Sequence, residues 1–173
     1  MNDALLQDLL DFVRSRYFGK YRGVVVEVDA DTMRVKASVP SVLGGVTSGW
    51  AAPCVPYAGP QVGFMMLPDV DSGVWIEFEG GDPSFPVWTG CYWNAGDVPD
   101  MGGSTIKTIL TDAGSLTFDN DENSVTLQDA AGHTFVLDSS GATTTADEGS
   151  VAVSSSGVSV NDGALEVTPA GAA

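Results

Sequence analysis

Basic residues are scarce in this 173-residue chain and absent from its C-terminal part. All seven (Arg14, Arg16, Lys20, Arg22, Arg34, Lys36 and Lys107) lie at or before position 107, while residues 108–173 hold ten Asp or Glu and no Lys or Arg. The net charge is −16. Displacing counterions from nucleic-acid phosphates takes a cationic stripe, so nucleic acid is excluded as a partner. An anionic membrane is excluded as a simple electrostatic partner for the same reason, which leaves transient contact at most. Histidine occurs once, as His133, too few for a Ser/His/Asp or zinc constellation without strong help elsewhere. Cysteine occurs twice, at Cys54 and Cys91, with no CxxC spacing, and Met1-Asn2-Asp3-Ala4 lacks the basic region of an export signal. Both thiols are therefore expected to be free and buried, in a chain made and assembled in the cytoplasm. No apolar run approaches the roughly 20 residues of a membrane helix. No glycine-rich loop follows a phosphate-binding pattern.

What the chain does have is glycine, 21 residues, with 43% hydrophobic and only 17% charged residues. That balance allows a packed core and points to turn-rich β structure. Residues 3–17 predict a short amphipathic helix, with Leu5, Leu6, Leu9, Leu10, Val13 and Tyr17 on one stripe. A helix so short is marginal alone, so its stripe must dock, on its own domain or on a partner subunit. Residues 21–93 predict about five strands. The runs 21–29 and 32–39 flank the turn Asp29-Ala30-Asp31 and set Val24, Val26 and Val28 on one face. After a Gly/Pro-rich connection come 52–56, 63–67, 73–79 and 85–93, with Gly59-Pro60 and Gly80-Gly81-Asp82-Pro83 as turns. Short strands parted by such turns suggest a small closed barrel. Residues 94–107 read as a linker.

Beyond the linker the texture changes to short alternating strands closed by Gly, Asp, Asn or Ser. The inward pairs are Leu116 and Phe118, Val125 and Leu127, Phe135 and Leu137, a weak step at Ala142 and Thr144, then Val151 and Val153, Val158 and Val160, and Leu165 and Val167. A five-residue strand with two apolar contacts cannot offset its ordering entropy of roughly 1–2 kcal/mol per residue. One chain alone would also leave an open, aggregation-prone edge. Three chains around one axis solve both problems, so residues 108–173 predict a triple-stranded, intertwined β-prism whose core is those apolar pairs. A single-chain solenoid and a disordered tail over 139–173 are the alternatives. Strand spacing near 4.8 Å makes the steps a rod of roughly 30–35 Å. The passage from Leu and Phe to Val along the rod predicts a taper.

Chemistry finds little to use. Glu77 and Glu79 share a predicted strand face and could do paired-carboxylate work, but an exposed barrel face explains them as well. Asp69 and Asp71 offer too few oxygens for calcium. Trp50, Trp75, Trp88 and Trp93 could stack bases, yet they lack basic neighbours downstream of Lys36, and packing accounts for them. No catalytic residue, cofactor or metal site is expected.

The stretch Gly49-Trp50-Ala51-Ala52-Pro53-Cys54-Val55-Pro56-Tyr57-Ala58-Gly59, followed by Gly63-Phe64, by Gly73-Val74-Trp75-Ile76-Glu77-Phe78-Glu79-Gly80-Gly81-Asp82-Pro83 and by Pro86-Val87-Trp88-Thr89-Gly90, resembles the OB-fold domain of phage baseplate assembly protein V. The same domain occurs in valine–glycine repeat spikes and extracellular contractile injection systems. The tail from Gly114 through Asp129 to Gly141 is similar to the start of that family's triple β-helix. The resemblance implies an all-β homotrimer: OB barrel, short N-terminal helix and intertwined β-helix. It would be assembled in the bacterial cytoplasm, sit under the baseplate hub in a phage tail or injection particle, and be driven through the target envelope when the sheath contracts. Two departures stand out. No lysozyme domain separates barrel from rod, and the end Leu165-Glu166-Val167-Thr168-Pro169-Ala170-Gly171-Ala172-Ala173 lacks the His-x-His pair that binds iron in some members. A separate tip protein, of the proline–alanine–alanine–arginine repeat type, is therefore expected at the C-terminal end. Competing readings are an OB binding module for single strands or glycans with an acidic oligomerising tail, and a carbohydrate-active enzyme with a β-helix.

Overall fold

The protein is described by a computed structural model covering residues 3–100 and 103–168. It divides into two compact units between Val98 and Pro99. Both are built from β-strands, with two helices and one 3-10 turn among the described residues.

The first unit opens with helix α1, Asp3–Arg14. Asp3 in its first turn and Arg14 in its last suit the helix dipole. The helix stops short of the expected residue 17 because the chain is claimed by the barrel. Ser15 Oγ donates to the Phe12 carbonyl at 2.9 Å, and the Tyr17 N–H donates to the Gly81 carbonyl at 2.8 Å. Tyr17 thus leaves the helical stripe and packs on the barrel core. The remaining stripe, Leu5, Leu6, Leu9, Leu10 and Val13, is exposed, so it does not dock on its own domain.

Strands β1 (Tyr21–Asp29) and β2 (Arg34–Ser38) form the first hairpin. A short helix α2 (Pro40–Leu43) leads to β3 (Ala52–Pro53), β4 (Ala58–Gly59) and β5 (Val62–Gly63). Strands β6 (Gly73–Phe78) and β7 (Pro86–Tyr92) complete the unit. The main sheet runs β2-β1-β6-β7-β3. It returns on itself where the Ala51 N–H donates to the Val35 carbonyl at 2.8 Å and Val35 N–H to the Ala51 carbonyl at 3.4 Å. Inside lie Val25, Val35, Ala37, Val39, Ala51, Val74, Ile76, Phe78 and Trp88. The Trp88 indole N–H is satisfied by the Met33 carbonyl at 3.1 Å. Val25 fills the core while Val24 and Val26 are exposed. A bulge between Val25 and Glu27 shifts the alternation so that Val28 stands opposite the buried Val35, which corrects the expectation that the three valines share one face.

Two expected strands, 52–56 and 63–67, are reduced to two residues each. Pro53 and Pro56 have no N–H to give a ladder. Residues 58–63 instead turn back as the β4–β5 ribbon, separate from the barrel sheet, with Gln61 at φ 61°.

The second unit is one eight-stranded antiparallel meander in sequence order. Its strands are β8 (Ile106–Thr111), β9 (Gly114–Asp119), β10 (Ser124–Asp129), β11 (Thr134–Asp138), β12 (Gly141–Ala146), β13 (Gly149–Ser154), β14 (Gly157–Val160) and β15 (Leu165–Val167). Strand β8 opens at Ile106, inside the stretch read as linker. The turns use the acidic residues. Asp119 Oδ1 accepts the N–H groups of Asp121 and Glu122, Asp129 Oδ1 those of Ala131 and His133, and Asp138 Oδ1 those of Ser140 and Gly141. Asn161 and Asp162 supply the positive φ angles, 48° and 51°, of the last hairpin.

Candidate functional site

Strand pairing in the meander aligns its alternating residues into two columns on one face. Phe118 stands opposite Val125, then follow Leu137, Ala142, Val153, Val158 and Val167. Beside them run Ile109, Leu116, Leu127, Phe135, Thr144, Val151, Val160 and Leu165. The register never slips, so the twelve large apolar residues singled out from the sequence share one face of one sheet. The central column of the other face is mostly small or hydroxylated: Thr108, Thr117, Thr126, Val136, Thr143, Ala152 and Ser159, ending in Glu166.

The apolar face is uncovered in the single chain. Phe135 is 41% exposed, Leu127 55% and Leu165 60%. Among the described residues of the second unit none is buried. A sheet that hides no side chain has no core of its own and must obtain one by association.

Sequence reasoning missed Ile109, which extends the second column by one row. The reason is local. In Ile106-Lys107-Thr108-Ile109-Leu110, apolar residues fall on both faces and Lys107 takes the place opposite Phe118, so no alternation shows. The Lys107 ammonium donates to the Ser104 carbonyl.

His133 is placed at the turn edge of the sheet, away from the apolar columns. Its Nδ1 lies 2.8 Å from Asp129 Oδ2 and its Nε2 lies 3.5 Å from Asp147 Oδ1. The Asp129 hydrogen bond raises the histidine pKa, and the same bond lowers that of Asp129. The ring thereby staples the β10–β11 and β12–β13 turns.

In the first unit the cations are largely spent on structure. Arg16 pairs with Asp82 at 2.8 Å, Lys20 with Glu77 at 2.7 Å and Lys36 with Glu27 at 2.6 Å, while Arg22 lies over the Trp75 and Tyr92 rings. Glu79 opens the 3-10 turn Glu79–Gly81 rather than continuing the strand face of Glu77. Trp88 is a core residue, Trp50 lies beneath Lys36, and Trp93 is exposed. Asp69 and Asp71 line a cleft of about 590 Å³ together with Val70, Cys91 and Trp93. Cys54 and Cys91 are free thiols, and both are exposed, which corrects the expectation of burial. The inward alternation of β7 ends at Trp88, and Cys91 lies beyond it on the rim of that cleft. Among the described residues no group of three or more His, Cys, Asp or Glu could hold a metal ion. No helix there is long and apolar enough to cross a membrane.

A closed five-stranded barrel followed by a meander with an open apolar face defines an oligomeric β-spike protein. Residues 21–93 match the family model of the type VI secretion system/phage-baseplate injector OB domain, and residues 97–166 match that of the phage baseplate V C-terminal trimerisation domain. The chain belongs to the phage baseplate V family, as a baseplate spike protein with the two domains in order. No curated protein matches the sequence. The trimerisation domain makes the chain a homotrimer, and its place is a phage-tail or secretion-system baseplate.

Proposed function

We propose that the chain is the central spike of a contractile tail or injection baseplate, joining the hub to a tip protein and piercing the target envelope on sheath contraction. The observation that carries this reading is the uncovered apolar face of the second unit. Its core residues are Leu116, Phe118, Val125, Leu127, Phe135, Leu137, Val151, Val153, Val158, Val160, Leu165 and Val167, to which Ile109 is added. Three copies of the sheet, faces turned to one axis, would cover all of them. Covering the exposed half of each such side chain is worth about 1 kcal/mol, hence on the order of 10 kcal/mol per chain. Each inner strand already spends its ladder on its sequence neighbours, so the chains meet through side chains, each giving one wall of the prism, where the sequence suggested strands of three chains intertwined.

The columns pass from Leu and Phe to Val, which supports a narrowing core. The exposed α1 stripe is the natural seat for the hub at the N-terminal side. At the other end the row of Leu165 and Val167 and the edge of β15 give a flat platform for a tip protein. Residues 169–173, on which the tip expectation also drew, lie outside the described residues. Assembly takes place in the bacterial cytoplasm, contact with the target membrane is transient, and the chain performs no catalysis and carries no cofactor.

Light scattering on the full chain tests the core. A mass of three times 17.9 kDa is expected. Val160→Asp would set three carboxylates on the axis at a cost of several kcal/mol each, so that variant should lose the trimer. A monomeric parent chain, or a fully trimeric variant, would sink the assignment. Imaging of the intact particle tests the tip: density that stops near residue 168 with nothing beyond would remove that partner.

A further inference from the structure

A second apolar surface lies in the first unit, outside residues 97–166 of the trimerisation domain. Residues 37–68 contain no Asp, Glu, Lys or Arg. Within this run the β4–β5 ribbon and the segment after it leave large side chains in solvent: Tyr57 60% exposed, Val62 52%, Phe64 43%, Met65 71% and Met66 46%. The ribbon is separate from the barrel sheet and has two residues in each strand. So short a ladder is marginal in water unless something covers its apolar side.

We propose that residues 57–66 form a second homotypic interface, packing against neighbouring copies of this chain in the trimer. The charge pattern selects that occupant. Copies of a chain with net charge −16 repel one another wherever their carboxylates meet. The longest uncharged stretch is where they approach without that repulsion. A foreign partner would be recognised with polar or charged groups as well, whereas permanent contacts between like chains are depleted of charge at their centre. Tethering by the trimerisation domain holds the three ribbons at high effective concentration, so even a weak self-affinity is saturated. Two adjacent methionines add side chains that adapt to a surface repeated around a three-fold axis. The inference rests on the homotrimer but not on the rod-core residues.

Oxidation by dilute peroxide, followed by peptide mass analysis, reads the contact in the full-length protein. Met65 and Met66 should oxidise about tenfold more slowly in the trimer than in a peptide spanning residues 57–68, since sulfoxide formation follows exposure. In the Leu127→Asp variant, once light scattering shows it monomeric, both should return to the peptide rate while the half-buried Met33 keeps its own. If Leu127→Asp stays trimeric, the rod-core assignment fails, and the comparison of trimer with peptide still decides the ribbon. Peptide-like rates at Met65 and Met66 in the trimer would overturn the proposal. Protection that arises only in the assembled particle would assign the surface to another protein and overturn it equally.

Discussion

His133 shows how one side chain can tie together a sheet that has no core of its own. Its ring spans Asp129 and Asp147 from two different turns. Because the histidine pKa is raised by Asp129, the contribution is full below the ordinary value of 6.5 and is lost as pH rises through the folded-state value. Asp129, whose pKa is lowered by the same bond, contributes above 3.8 and loses its part as pH falls through its folded-state value. The thermal midpoint of the full chain is therefore expected to fall as pH rises above 6.5, and His133→Gln should flatten that slope. An unchanged slope in the variant would remove the staple. Gly141 is decisive for a steric reason: its φ is 142°, and a Cβ there would lie 2.0 Å from the Val153 carbonyl oxygen of the next strand. Gly141→Ala should cost at least about 2 kcal/mol per chain, read as a lower denaturation midpoint.

Among the elements, the meander was the more legible half. Its strands alternate strictly, its turns carry Asp, Asn and Gly, and a period of two admits one register for a buried face. Strand β8 was hidden because Lys107 interrupts one column. The barrel was read less well between residues 52 and 67, where proline breaks the ladder and the chain makes a ribbon that no periodicity announces. The helix was recognisable from its stripe, but its end was set by the bond from Tyr17 to Gly81, which no local pattern encodes. The weak row of Ala142 and Thr144 supplies a direct test of burial. Thr144 stands between Phe135 and Val151 in its column. If that column faces the trimer axis, its hydroxyl is buried among apolar neighbours, and Thr144→Val should stabilise the assembly by about 1 kcal/mol per chain. A solvent-facing column would leave the midpoint where it was.

For the molecule as a whole, assembly gathers three chains that each carry −16. Self-repulsion opposes the trimer, and the apolar faces must outweigh it. Added salt screens that repulsion while strengthening burial only slightly, so the thermal midpoint should rise between about 0.02 and 0.5 M NaCl. A midpoint that drops with salt would mean that the subunits are held by ion pairs instead. The carboxylates are not a mere solvating coat. Asp119, Asp129 and Asp138 each bind two backbone N–H groups at a hairpin turn, so the same residues that keep the surface anionic also shape the sheet.

The sequence by itself determined what depends on neighbours along the chain: the alternation of Leu116 to Val167, the turn chemistry, and a C-terminal part without cations. Its motifs also identified the family, through residues 49–90. Tertiary structure decided what depends on distant residues meeting. The bulge between Val25 and Glu27 set Val28 opposite the buried Val35, apart from Val24 and Val26. The exposure of Cys54 and Cys91 followed from where β3 ends and where the inward alternation of β7 stops, not from the apolar character of a thiol. The alignment of the strands into two columns needed every hairpin to keep its register, which short-range pattern can favour but only the completed ladder enforces.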